Sequence, residues 1–169
     1  MSNDWGAPQT DDWQTRVEAV WATADDLADQ DLVAAIDALA AERPADDAVA
    51  VFEAACARDS AGLEAEAEPL YRRALELGLD ETRTVRATIQ LASTIRNLGK
   101  LDESIALLER QLAVHPADQW TGPIAAFLAL ALVTRGSERE AASVALTALA
   151  DYLPNYQRSV RAYAADLLE

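Results

Sequence analysis

Histidine, cysteine and lysine are nearly missing from this chain, with one of each among 169 residues. A lone histidine, His115, excludes a metal site built on several imidazoles and a conventional Ser-His-Asp arrangement. A lone cysteine, Cys56, excludes an intrachain disulfide. Glycine and proline are scarce, at six each, and no glycine-rich loop able to cradle a phosphate is present. No N-terminal signal pattern stands out, because residues 1–12 are polar and acidic. The longest uninterrupted apolar run, 124–133, is too short to span a bilayer. These features predict a cytoplasmic protein.

Apolar residues, by contrast, are plentiful. Just over half of the chain is hydrophobic, at 51%, which is too much for a disordered tail. Alanine and leucine dominate, and unbranched side chains lose little freedom in a helix. The formal charge is −15, and most of it sits in residues 1–57. There, thirteen acids face only Arg16 and Arg43. Such a balance repels phosphate backbones and acidic membranes, so neither nucleic acid nor a membrane surface is an expected partner. The remaining arginines cluster in the middle of the chain.

The chain also repeats itself. Gly62, Gly99 and Gly136 stand 37 residues apart. At the same offset Ala55 matches Ala92 and Ala129, and Glu66 matches Glu103 and Glu140. Ala67 matches Ser104 and Ala141, Leu70 matches Leu107 and Val144, and Leu75 matches Leu112 and Leu149. A period in this range is the mark of a helical solenoid. Each unit reads as two helices around its glycine, which supplies a left-handed residue at a helix end. Apolar stripes at Ile89, Ala92, Ile95 and Leu98, then at Leu101, Ile105, Leu108 and Leu112, show the helical spacing. The small residues at the matched alanine and serine positions let paired helices approach closely.

Start signals divide the chain. Asp46 or Asp47, Asp80 and Asp118 stand where first helices should begin. Ser137 and Glu140 form a capping-box pattern. Three repeats are predicted at about 46–79, 80–116 and 118–154, within an array spanning 44–154. Residues 1–10 read as a disordered lead, with Trp5 unplaced. Residues 11–43 read as a helical hairpin opened by Asp11 and Asp31, with Trp13, Val17, Val20, Trp21, Leu32, Ile36 and Leu39 inward. Residues 155–169 read as a capping helix that Asn155 opens, with Val160, Tyr163, Ala164 and Leu167 as its apolar stripe. The expectation is an all-α, right-handed α-solenoid of about nine helices without a sheet.

The stretches Pro69-Leu70-Tyr71-Arg72-Arg73-Ala74-Leu75 and Ile89-Gln90-Leu91-Ala92-Ser93-Thr94-Ile95-Arg96-Asn97-Leu98-Gly99 resemble the tetratricopeptide repeat family. The likeness is to its bacterial branch, tetratrico peptide repeat group five, and covers the chain from about Arg43 onward. The small residues and turn glycines agree with the family pattern. The aromatics agree poorly, and Arg58 replaces one of them. The period is also three residues longer than usual.

In such arrays the first helix of each pair lines a groove. The resemblance therefore implies a peptide-binding face at Phe52, Arg86, Gln90, Ser93, Arg96, Asn97 and Phe127. Arginine and amide side chains suit an acidic or carboxylate-ended peptide. Internal pairing of the same arginines with Glu53, Asp59 and their neighbours is the other reading. Trp13 and Trp21 have two readings as well, as a cap on the first repeat or as anchors of a homodimer.

Other constellations carry less chemistry. Asp25, Asp26, Asp29 and Asp31 lack the glycine and closing glutamate of a calcium loop. Glu64, Glu68 and Arg72 read as a ladder of surface charge pairs. Cys56 reads as a small buried hydrophobe, and His115 as a surface residue at a helix end. No convergent catalytic set is visible. The sequence thus predicts a non-catalytic adaptor for a protein or peptide, without cofactor or metal. A self-associating structural protein is the alternative.

Overall fold

The computed structural model describes residues 12–169. Among them lie nine α-helices and no strand. The lead at 1–10, with Trp5, and the cap at Asp11 fall outside the described residues. Helices α1 (Asp12–Trp21) and α2 (Asp29–Ala40) form the N-terminal hairpin. The three repeats are α3 (Ala48–Ser60) with α4 (Glu64–Leu77), α5 (Glu81–Asn97) with α6 (Leu101–Val114), and α7 (Thr121–Arg135) with α8 (Glu138–Ala150). Helix α9 (Gln157–Asp166) closes the array. Each helix packs on the next, and α5 also touches α3 and α7. This is the packing of an all-α solenoid.

The repeat glycines work alike. Gly62, Gly99 and Gly136 have φ of 69°, 80° and 88°. At each, the residue after the glycine donates its N–H to the carbonyl five positions back, and the glycine donates to the carbonyl three back. The first set of bonds is Leu63 to Arg58, Lys100 to Ile95 and Ser137 to Leu132, at 2.8, 2.8 and 2.9 Å. This doubly bonded closure satisfies the last carbonyls of the first helix and aims the chain into the second.

The second helices consequently begin at Glu64, Leu101 and Glu138, in strict 37-residue register. The first helices begin at Ala48, Glu81 and Thr121 and do not keep that register. The extra length lies between pairs, where three residues join α4 to α5 and six join α6 to α7.

Three apolar clusters follow one another along the stack. Helix α5 serves two of them. Ala87, Leu91 and Ile95 face the first repeat, whereas Val85, Ile89 and Ala92 face the third. A helix packed on both flanks leaves one narrow strip for solvent. On α5 that strip is Arg83, Arg86, Gln90, Ser93 and Asn97, at spacings of three and four.

Two start signals act as expected and others do not. Asp47 caps α3 through the N–H groups of Val49 and Ala50, and Asp80 caps α5 through that of Arg83. Asp118 lies ahead of α7, where it accepts from the Trp120 N–H at 2.7 Å and meets His115 Nδ1 at 2.7 Å. His115 is buried, not on the surface, because this loop folds over it. Ser137 makes no side-chain cap. Arg135, carried to that turn by the Gly136 closure, takes Glu140 at 2.8 Å and bonds Ser137 Oγ at 3.2 Å. The Ser137 N–H that a capping box would give to Glu140 is already donated to the Leu132 carbonyl at 2.9 Å, which leaves Glu140 to Arg135.

Helix α2 starts at Asp29, with Asp31 in its first turn. Asn155 does not open α9. Tyr156, at φ 68°, precedes it, and Ala164 faces inward while Tyr163 stays exposed. Glu64 leaves the expected ladder to bond Asn97, and Arg72 joins Glu68 to Glu103 of α6. Arg58, at an aromatic position of the family pattern, binds both oxygens of Asp37 at 2.8 and 2.9 Å and so ties α2 to α3.

Candidate functional site

Three helices present one face each to a single open cavity of about 620 Å³. From α1 come Gln14, Glu18 and Trp21, and from α3 come Glu53, Cys56, Asp59 and Ser60. From α5 come Arg83, Arg86 and Gln90. Apart from Ser60, which adjoins Asp59, the residues within each set are spaced three or four apart, so each set is one helical stripe. Ligand pockets commonly span about 300–1,000 Å³, which includes this one.

Polar tethers hold the walls. Arg83 donates to Asp80 at 2.7 Å and to Gln14 Oε1 at 3.0 Å, joining α5 to α1. The Trp21 indole donates to Glu53 Oε2 at 2.7 Å, joining α1 to α3. Asp59 accepts from Thr94 Oγ1 at 2.8 Å and from the Tyr71 hydroxyl at 3.3 Å. Helix α1 is thus the third wall of the cavity.

The titratable groups are shifted by this setting. Burial pushes the Glu53 and Asp59 carboxyls above the usual carboxylate range, against the hydrogen bonds that they accept. Burial also pushes the Cys56 thiol up to about 12, so it is not a thiolate at neutral pH. Arg86 is exposed. Its guanidinium lies 5.5 Å from the centroid of the Phe52 ring, within cation–π range. Among the described residues, no hydrogen bond or ion pair within 4 Å engages Arg86. It is a positioned cation with its donors free.

The expected groove residues are divided by the structure. Arg86 and Gln90 line the cavity. Ser93 continues the same strip of α5 beyond it. Arg96 bonds the Asn97 side chain at 3.0 Å, and Asn97 bonds Glu64 at 3.2 Å, so this pair is engaged internally. Phe52 is fully buried and supports Arg86 from beneath, offering a ligand no surface of its own. Phe127 is half-buried against the core of the third repeat and stands outside the cavity.

Trp13 is buried and donates to the Leu39 carbonyl at 2.7 Å, while Trp21 is spent on Glu53. Trp13 has no exposed face to offer a second copy, whereas Trp21 is partly exposed and lines the cavity. Gln14, Glu18, Trp21, Ser60 and Arg83 are the cavity residues missed in the sequence. Only Arg83 left a signal there, three positions before Arg86 on the same face.

The family model described as tetratrico peptide repeat, in its group five form, matches residues 48–167. The chain belongs to the tetratricopeptide repeat family. No curated protein and no solved structure matches it. Tetratricopeptide repeat proteins are generally scaffolds for protein–protein interaction and not catalysts.

In this tetratricopeptide repeat protein the match runs from the start of α3 into α9. Helix α1, one wall of the cavity, therefore lies outside the repeated unit. Among the described residues, no group of three or more metal-ligating side chains converges, the Asp25–Asp31 turn included. No described helix is long and apolar enough to cross a membrane.

Proposed function

We propose that this protein is a non-catalytic adaptor that holds a carboxylate-bearing segment of a partner protein in the cavity between α1, α3 and α5. One observation carries the reading. Arg86 is fixed over Phe52 at the cavity wall with its guanidinium donors unused, and two parallel N–H groups suit a carboxylate. Gln90, one turn further along α5, adds an amide donor. The ligand carboxylate is an acidic side chain or a chain end. Burial holds Cys56 as a thiol, which favours binding over nucleophilic chemistry at this cavity.

Affinity capture from the source cell's lysate tests the proposal, with the wild type run beside Arg86→Ala. Circular dichroism checks that both are folded. A partner retained by the wild type and weakened about tenfold or more by the variant supports it, given the worth of a charge-assisted hydrogen bond. Equal capture by both would place the interaction elsewhere on the array.

A further inference from the structure

The same cavity holds a second group with a polar atom that no protein donor engages, and it has the opposite sign. Glu53 is 6% exposed, yet it lines the cavity. Its Oε2 accepts from Trp21, while Oε1 accepts nothing among the described residues. A carboxylate this deeply placed normally collects several donors or a cation. Arg86 and Arg83 favour its charged form through space, but neither approaches Glu53 within 4 Å or donates a hydrogen bond to it. Arg83 is spent on Asp80 and Gln14.

Charge adds an independent constraint. The cavity is lined by three acids, Glu18, Glu53 and Asp59, against two arginines. A ligand carrying only negative charge would meet Arg86 on one wall and repulsion from α1 and α3 on the others. A run of acidic side chains is the worst case. The balance is met by a ligand with one carboxylate for α5 and one cation for α3, set a few bonds apart. A peptide chain end whose last residue is lysine or arginine carries both.

We infer that the cavity is a two-point socket for a C-terminal basic residue, its carboxylate on Arg86 and its side-chain cation on the free oxygen of Glu53. The inference rests on the carboxylate reading of Arg86 and adds the residue class that the site selects. Glu53 is then the specificity determinant. Asp59 stands behind it with both oxygens already bonded to hydroxyls.

Four labelled peptides with the same Gly-Ser body test both points by fluorescence anisotropy. They end in lysine or norleucine, each as a free acid or an amide. The lysine free acid is expected to bind about tenfold or more tighter than either the lysine amide or the norleucine acid. Glu53→Gln, which keeps an acceptor for Trp21, should bring the lysine-to-norleucine ratio close to one and preserve the acid-to-amide ratio. Arg86→Gln should do the reverse.

If norleucine acid binds as well as lysine acid, the basic-residue inference fails and the carboxylate reading stands. If lysine amide binds as well as lysine acid, the carboxylate reading fails, and the two-point socket fails with it. Four peptides without measurable binding at millimolar concentration overturn both. The thermal unfolding midpoint of each variant, compared with the wild type, separates lost recognition from lost fold.

Discussion

Trp21 Nε1 and Glu53 Oε2 lie 2.7 Å apart, joining the end of α1 to the middle of α3. Trp21 also packs on the core of the first repeat, so one side chain both closes that core and meets a buried acid. Trp21→Phe keeps most of the ring and deletes the donor. Leaving a buried acceptor without its partner costs about 1–3 kcal/mol. Urea unfolding at pH 7 should show that loss, and a change below 0.5 kcal/mol, on the order of an ordinary surface substitution, would refute the role.

Glu53 also makes stability depend on pH. Burial raises its pKa in the folded chain above the ordinary value of 4.5. An acid raised in this way holds its proton more tightly when folded. Its contribution is therefore fully present below the unfolded pKa and is lost as pH rises through the folded one. Glu53→Gln carries no charge. It should be more stable than the wild type at pH 7, and the advantage should shrink as pH falls towards 4.5. Asp59, raised by burial in the same direction, remains in both proteins and cancels from the comparison. Paired denaturation curves from pH 4 to 8 read this directly.

Cys56 should resist thiol reagents. Burial holds its pKa at about 12, and its side chain is almost wholly enclosed. Attack requires the thiolate, so a disulfide reagent at pH 8 should label the native protein far more slowly than the urea-unfolded chain. Equal rates would mean that the cavity floor opens readily.

Gly99 sits at φ 80° with nothing within 4 Å of an added Cβ. Gly99→Ala therefore tests backbone conformation without a clash. It should cost about 1–2 kcal/mol, the penalty of a left-handed residue with a side chain. Gly99→Asn should cost less, since asparagine tolerates that region. Thermal unfolding of the two variants gives the order.

Ser104 Oγ of α6 donates to the Ala92 carbonyl of α5 at 2.6 Å. Both residues are fully buried. Ser104→Ala has the residue of the matching positions in the other two repeats, and should cost about 1 kcal/mol for one hydrogen bond. Ser104→Leu over-packs the contact and should cost about 1–3 kcal/mol. A leucine variant as stable as the alanine variant would show that the helices have room to part.

Much of this could be read along the chain because it is written locally. A glycine at the end of each first helix, a small residue on each facing helix and a proline or aspartate between pairs act within a few residues of one another. Their effects do not depend on distant partners, so the 37-residue register of the second helices carried over intact. The capping pattern at Ser137 and Glu140 did not, because the closure at Gly136 takes the Ser137 N–H for the Leu132 carbonyl and Glu140 pairs with Arg135 instead.

The cavity is another matter. Phe52 and Phe127 are large apolar residues on first helices, and spacing alone cannot say whether such a ring faces a ligand or a core. Packing put Phe52 under Arg86 and Phe127 against the third repeat. Gln14 and Arg83 are 69 residues apart, and nothing local foretells their bond. The order of helices and their turns were thus already determined in the linear chain, by short-range backbone and patterning rules. Which charges met, and which were left free, depended on how the helices stacked, because a charge–charge contact is made between surfaces that only the assembled array brings together.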